Sequence, residues 1–308
     1  MADRSPPADL SLSRGRTRRL EERLADLAFT ACAGVLGLVT LVMVVTLVSE
    51  TVSFFSQVSF LEFFLDSRWT PLFREKHFGI LPLLSGSVMV MVGAGLVSLP
   101  AGLFAAVFMS EHANARARSI MKPVLEVLAG IPTVVYGYFA LTLVTPALRG
   151  IIPGLGAFNA LSASLVVGLM ILPTVASLSW DALRAVPWSV REAAYGLGAS
   201  KMEVATRVVV PAALPGVVAS FLLGLSRALG ETIIVSLVAG NSAELAMNPL
   251  DSLQTMTAYV LQVGMGDLSP GTLEYQTLFA VGTTLFAITM AMGLASQWIR
   301  SRGGRFVP

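Results

Sequence analysis

The sequence predicts an all-α, polytopic membrane protein with six transmembrane helices, and three observations carry that prediction. Of the 308 residues, 55% are hydrophobic and 13% charged, about half the charged share of a soluble domain. Leu27–Ser49, Gly79–Ser110, Val127–Leu148, Gly150–Trp180 and Tyr275–Ile299 contain no Asp, Glu, Lys or Arg, and each reaches the ~20 residues that cross a hydrocarbon core as a helix. A sixth apolar stretch, Val208–Ala243, is interrupted only by Arg227 and Glu231.

Residues 1–26 form a basic tail, with Pro6-Pro7 followed by the helically spaced RTRRLEERLADL. The 27–49 run is too long for the apolar region of a secretion signal, about 7–15 residues, and reads as an uncleaved anchor. The lone Cys32 lies within it, so no intrachain disulfide forms; packing or lipid contact accounts for it. Segment 50–78 is rich in aromatics, which suits a stretch lying in the membrane interface. Helix two begins near Ile80 with Pro82 in its first turns, and Pro100 is expected to kink it. Pro132 and Gly137 break the regularity of helix three, which membrane depth tolerates only beside neighbours or a cavity. RGIIPGLG is a tight turn into helix four, and 241–274 is a polar loop.

The distribution of charge sets the orientation. Arg4, Arg14, Arg16, Arg18, Arg19 and Arg23 share one side with Arg116, Arg118 and Lys122. Arg184, Arg191, Lys201, Arg207, Arg300, Arg302 and Arg305 join them, against Arg68, Arg74, Lys76 and Arg149 on the other. The positive-inside rule then places both termini in the cytoplasm and 50–78 outside. Six spans after the tail argue against nucleic-acid binding.

Loop 181–212 is patterned like a folded element. Ser189 with Glu192, and Ser200 with Glu203, fit the capping box. Gly196 and Gly198 supply a stop, and Pro211 and Pro215 bound a second short helix. Capping alone does not separate a partner-binding surface from a connector. The wording does: EAAYGLGASKMEVATRVVVP resembles the EAA pattern of ABC-importer permeases, at Glu192, Ala193, Ala194, Gly198, Val208, Val210 and Pro211. Val208 and Val210 stand where the family usually has Ile and Leu. The resemblance implies a MetI-like permease whose 79–300 core docks loop 181–212 onto an ATPase subunit, leaving 301–308 as a cytoplasmic end. The chain contains no G-x-x-x-x-G-K-[ST] loop, so ATP and its magnesium are expected on that partner. His77 and His112 are too far apart to suggest a metal site.

A charge at the centre of a membrane helix costs roughly 2.5–3.5 kcal/mol. An i,i+4 ion pair returns about 0.2–0.5 kcal/mol, and less with Arg first. Arg227 and Glu231 are therefore either a buried lock or part of an anion path. A guanidinium suits bidentate binding of an oxyanion, phosphate above all. Glu231 would then either hold the Arg227 rotamer or accept a hydrogen bond from a protonated oxyanion, which sulfate cannot donate. RALGET followed by VAGN, with FGILPLLSGS and EVLAGIPTVVYGY, resembles phosphate-specific importer permeases of the PstC type over residues 70–300. That resemblance implies a phosphate path at Arg227 and Glu231, with Thr232, Asn241 and Tyr136 as further candidates. It also implies a PstA-type permease partner, two ATPase copies and an extracytoplasmic phosphate-binding protein. A sulfate or molybdate permease, an ATP-independent anion channel and a phosphate-sensing receptor are the alternatives.

Overall fold

A backbone surrounded by lipid has no water to bond, so apolar sequence closes its hydrogen bonds within helices. The computed structural model describes residues 16–303 and follows that rule. The helices are α1 (Arg16–Phe55), α2 (Phe60–Leu65), α3 (Leu81–Val107), α4 (Ala115–Gly130), α5 (Thr133–Phe139), α6 (Thr145–Arg149) and α7 (Ala160–Arg184). They continue as α8 (Trp188–Gly196), α9 (Lys201–Glu203), α10 (Val210–Leu229), α11 (Ile233–Val238), α12 (Met256–Gly264) and α13 (Leu273–Gly303). Single widened π turns follow α3, α5 and α9. Most of the basic tail predicted over 1–26, and Arg305, lie outside the described residues; from Arg16 onward the chain is helical.

The chain divides at Ser49 into two units. In the first, α1 exposes Leu27, Phe29, Val35, Leu36, Leu38 and Met43. A helix apolar on all sides is one that lipid covers.

In the second unit, α3 and α7 form the central pair. Lipid tails are as apolar as leucine, so such helices associate through close packing of small residues rather than through a hydrophobic driving force. A Cβ on Gly168 would lie 2.9 Å from the Ala94 carbonyl oxygen, and one on Gly102 would lie 2.8 Å from Val175. Val175 also meets Gly224 of α10, and Ala182 meets Gly216. The Ser179 and Ser220 hydroxyls pair at 2.6 Å across that contact. Ser296 of α13 donates to the Ala219 carbonyl at 3.0 Å.

Among the described residues five helices are long and apolar enough to cross a membrane, and the expected six are reached with the third span as a pair, 115–130 and 133–149, bent by 89°. Pro132 sets the bend, because its extended backbone (ψ 138°) ends helix and starts it again. Several other expectations are corrected. Gly137 does not break α5; its missing side chain leaves room for Leu237, which a Cβ would meet at 2.6 Å. The predicted polar loop 241–274 contains α12, with Met256, Thr257, Ala258 and Tyr259 buried. Nor is 50–78 simply interfacial. Phe54, Phe63, Trp69 and Phe78 are buried with Tyr259 and Met256, the rings meeting edge to face.

In the 181–212 segment the Ser200–Glu203 box forms, each side chain bonding the other's backbone N–H. The Ser189–Glu192 box does not. Extended Pro187 opens α8, placing Ser189 inside the first turn. Gly198 makes the elbow at φ +84°, which an L side chain adopts only with strain. Beyond it, Lys201–Leu229 is one continuous span. Pro211 does not bound a separate helix, since it lies within that span, just after the widened turn Val204–Val209.

Replacing Gly168 with Leu is expected to force α3 and α7 apart and destabilise the protein by about 1–3 kcal/mol. Denaturant titration of the purified protein in mixed micelles measures this, and an unchanged midpoint would refute the close-packing account.

Candidate translocation site and coupling surface

The span carrying the two intramembrane charges is not one helix. α10 ends at Leu229, residues 230–232 are irregular, and α11 begins at Ile233. An i,i+4 contact needs an unbroken turn, and none joins Arg227 to Glu231. Glu231 is buried and turns to the backbone instead. Its Oε1 accepts from the N–H groups of Ile233 at 3.1 Å and Ile234 at 3.3 Å, satisfying donors that the first turn of α11 leaves open. Its carbonyl accepts the Thr257 hydroxyl at 2.6 Å. Thr232 closes the break from the other side, its hydroxyl donating to Gly230 at 3.2 Å and its carbonyl accepting the Ser236 hydroxyl at 2.6 Å.

Arg227 is exposed on the surface of the chain. One Nη donates to the Thr174 hydroxyl of α7 at 3.0 Å. Thr174 stands roughly 15 Å of helix rise from Arg184 at the end of α7, half of a ~30 Å hydrocarbon core. The guanidinium therefore sits near mid-depth, open, with most of its donor fork unengaged. Tyr136 is buried, and its hydroxyl donates to the Leu128 carbonyl at 2.8 Å across the α4–α5 bend. Gly137 seats α5 against α11, so the bent span and the broken span meet beside Arg227. Asn241 belongs to a separate polar cluster, accepting from Gln254 at 3.3 Å while Gln254 also donates to Gln262 at 2.6 Å.

The EAA residues lie on α8, at the elbow and at the start of the following span, at the end of the helices bearing Arg184 and Lys201. Glu192 and Ala193 are exposed, Ala194 is buried, and Val208 is half-buried. Pro211 and Gly198 are exposed. Apolar side chains without cover lie alongside: Trp188, Leu197 and Met202. Ala194 packs with Ala106, Leu183, Val186 and Val204, so α8 is seated on the ends of α3 and α7.

A residue that the sequence reading counted only for its charge fixes this seat. Arg191 pairs with Glu111 at 3.1 Å, the two side chains being 6% and 5% exposed. Its remaining donors go to the carbonyls of Leu183 at 2.9 Å and of Val186. The Ser110 hydroxyl donates to Glu111 at 2.7 Å. Glu111 lies 80 residues away in sequence. The only local signal was a lone carboxylate at the close of a long uncharged run. Thr174 and Thr257 were likewise passed over, since a threonine in an apolar helix carries no distinguishing pattern.

Breaking a buried pair leaves an unpaired buried charge and costs about 3–5 kcal/mol, whereas replacing both partners with apolar groups is often near neutral. Arg191→Met is thus expected to be strongly destabilising, and Glu111→Leu in the same chain to recover most of the loss. A double-mutant cycle by chemical denaturation checks this; purely additive effects would contradict the lock. At the break, Glu231→Gln keeps an acceptor oxygen for the α11 donors and is expected to unfold close to the parent. Glu231→Ala should lose about 1 kcal/mol, the usual worth of a cap, and equal stability of the two variants would reject the capping role.

Comparison with known proteins agrees with this architecture. Residues 98–302 match the family described as binding-protein-dependent transport system inner membrane component. The probable ABC transporter permease YqgH of Bacillus subtilis is 32% identical over 293 residues, covering 94% of each chain. The phosphate transport system permease PstC of Haemophilus influenzae is 32% identical over 254 residues, covering 76% of this chain and 79% of its own. Among solved structures, a bacterial ABC transporter that imports the acidic polysaccharide alginate superposes with TM-score 0.61 at 14% identity, covering 92% of this chain and 99% of that one. The inward-facing methionine transporter MetNI gives 0.55 at 18% identity, covering 71% and 94%. An EAA surface seated on spanning helices, the family match over two thirds of the chain and the similarity to permeases along most of its length lead to one conclusion: this chain belongs to the binding-protein-dependent, MetI-like family of ABC-importer inner membrane permeases.

Proposed function

We propose that the chain carries inorganic phosphate across the cytoplasmic membrane as the PstC-type half of a permease. The other half would be a PstA-type subunit, with two ATPase copies on the cytoplasmic face and a phosphate-binding protein outside. The observation that carries this reading is the exposed guanidinium of Arg227 within an otherwise apolar span, donating to Thr174. A charge there is stable only where it faces water or a partner rather than lipid. Its planar fork suits an oxyanion, and relatives named phosphate permeases align over about three quarters of the chain. The methionine and alginate transporters support the fold alone.

In this reading Arg227 binds the anion, with Thr174 holding its side chain toward the path. Tyr136 and Thr232 keep the bent and broken spans in place around it. Glu231 acts by shaping the break, because Oε1 is committed to backbone donors. Asn241 is assigned to the rim of the path with Gln254. The basic residues place both termini and loop 181–212 in the cytoplasm. Glu192, Ala193, Ala194, Gly198, Val208 and Pro211 then form the face that receives the ATPase. Closure of the ATPase pair moves that face as a rigid body and switches access from inside to outside.

Arg227→Gln is expected to abolish phosphate uptake in cells or vesicles while the complex still assembles at normal yield. Unimpaired uptake would overturn the path assignment. Excess sulfate should not compete in the same vesicles; robust sulfate uptake would transfer the chain to another oxyanion. Uptake by the chain without any ATPase would support a channel instead.

A further inference from the structure

A cavity of about 430 Å³ opens between the end of the α3 span, α4, the end of α7, and the α8–α9 elbow. Its lining excludes Arg227, and Trp188, Tyr195 and Lys201 put it beside the EAA residues. Its lining holds four cations, Arg118, Arg184, Arg191 and Lys201, against one carboxylate, Glu111. Glu111 is already engaged by Arg191 and Ser110. Arg118 is spent on carbonyls, donating to Met109 at 3.1 Å and Ala113 at 3.4 Å. Arg184 and Lys201 donate to no protein acceptor among the described residues. The Arg184 guanidinium lies 5.1 Å from the ring centre of Trp180, which holds its plane at the cavity wall. Three positive charges thus surround the space without an internal counter-ion.

The depth and the walls narrow the chemistry. Glu111 and Arg184 close two membrane-spanning segments, so the cavity lies at headgroup level. Trp180, Trp188 and Tyr195 form its sides, and such amphipathic rings collect at the interface. Basic pockets between helices at this level suit anionic headgroups. The volume lies within the range of small-ligand sites, about 300–1,000 Å³.

We propose that this cavity binds a phosphoryl oxyanion through Arg184 and Lys201. The oxyanion is either the headgroup of an anionic phospholipid or free phosphate on the cytoplasmic side. Because Arg184 ends α7 and Lys201 opens α9, the bound group bridges the elbow to the core. It reinforces the Arg191–Glu111 seat and tunes how firmly α8 follows the spanning helices.

The test uses the full permease complex carrying Arg184→Ala and Lys201→Ala together. Both side chains are exposed and hold no protein acceptor, so the fold is expected to persist. An Arg184→Lys, Lys201→Arg complex retains the charge as a control and should bind like the parent. Native mass spectrometry after addition of phosphatidylglycerol or phosphatidylcholine reads the lipid arm. Equilibrium binding of radiolabelled inorganic phosphate, in an Arg227→Gln background that removes the proposed path site, reads the other. A tenfold or greater drop in retained phosphatidylglycerol, with phosphatidylcholine unaffected, assigns the cavity to lipid. The same drop in phosphate binding assigns it to free phosphate. If the double-alanine complex retains both ligands as the parent does, the three charges are merely solvated and the proposal fails.

Discussion

Backbone hydrogen bonding without water is the constraint on which the rest of this structure depends. Each N–H and C=O at membrane depth needs an internal partner, yet the chain interrupts its helices twice where they meet. The interruption at 230–232 is closed by a carboxylate taking two amides, a threonine hydroxyl reaching a carbonyl from α12, and Thr232 bonding locally. The bend at Ile131–Pro132 removes an N–H through proline and is tied across by the Tyr136 hydroxyl. Both repairs use groups of the chain itself, so both irregular segments hold a fixed shape. That fixed shape is what presents Arg227 at the end of a helix rather than along its side.

Glu231 shows how the same residue looks different in one dimension and in three. In sequence it is the opposite charge four residues after an arginine, and the pair invites a single answer. Once the helix ends at Leu229, the two side chains serve different neighbours: Thr174 of α7 for Arg227, the α11 amides for Glu231. The energetic objection to a simple ion pair, that its return is a small fraction of the insertion cost, already pointed that way. It did not identify the break, because Gly230 alone is a weak signal inside an apolar run.

What the sequence made legible follows from which forces are local. Uncharged length is local, and it placed the spans; the EAA spacing is local too, and it pointed to the permease family. The Ser200–Glu203 box was readable because both partners lie within one turn. Ser189–Glu192 had the same spacing and failed, since Pro187 fixed the helix start upstream. Non-local pairings were hidden. Glu111 and Arg191 are joined only by the close packing of α3 on α7, and that packing rests on glycines whose role appears once Ala94 and Val175 are seen against them. The burial of Phe54, Phe63 and Trp69 around Tyr259 was hidden for the same reason, because α12 had to be recognised as a helix first.

The Arg191–Glu111 pair gives the proposed coupling surface its mechanical character. A surface that transmits a push must not deform more than the element it moves. α8 is short, and with seven of its nine residues exposed its own packing is modest. An apolar seat alone would let it slide, because dispersion contacts are non-directional. A guanidinium that bonds a carboxylate on the α3 end and two carbonyls on the α7 end fixes α8 in direction as well as position. Such a pair is weak evidence for net stability, given what it costs to desolvate. Its value lies in orientation, for any displacement large enough to free α8 must first expose an unpaired charge within the protein. α8 and the ends of α3 and α7 therefore move together or not at all, and α7 also carries Thr174, the residue that holds Arg227.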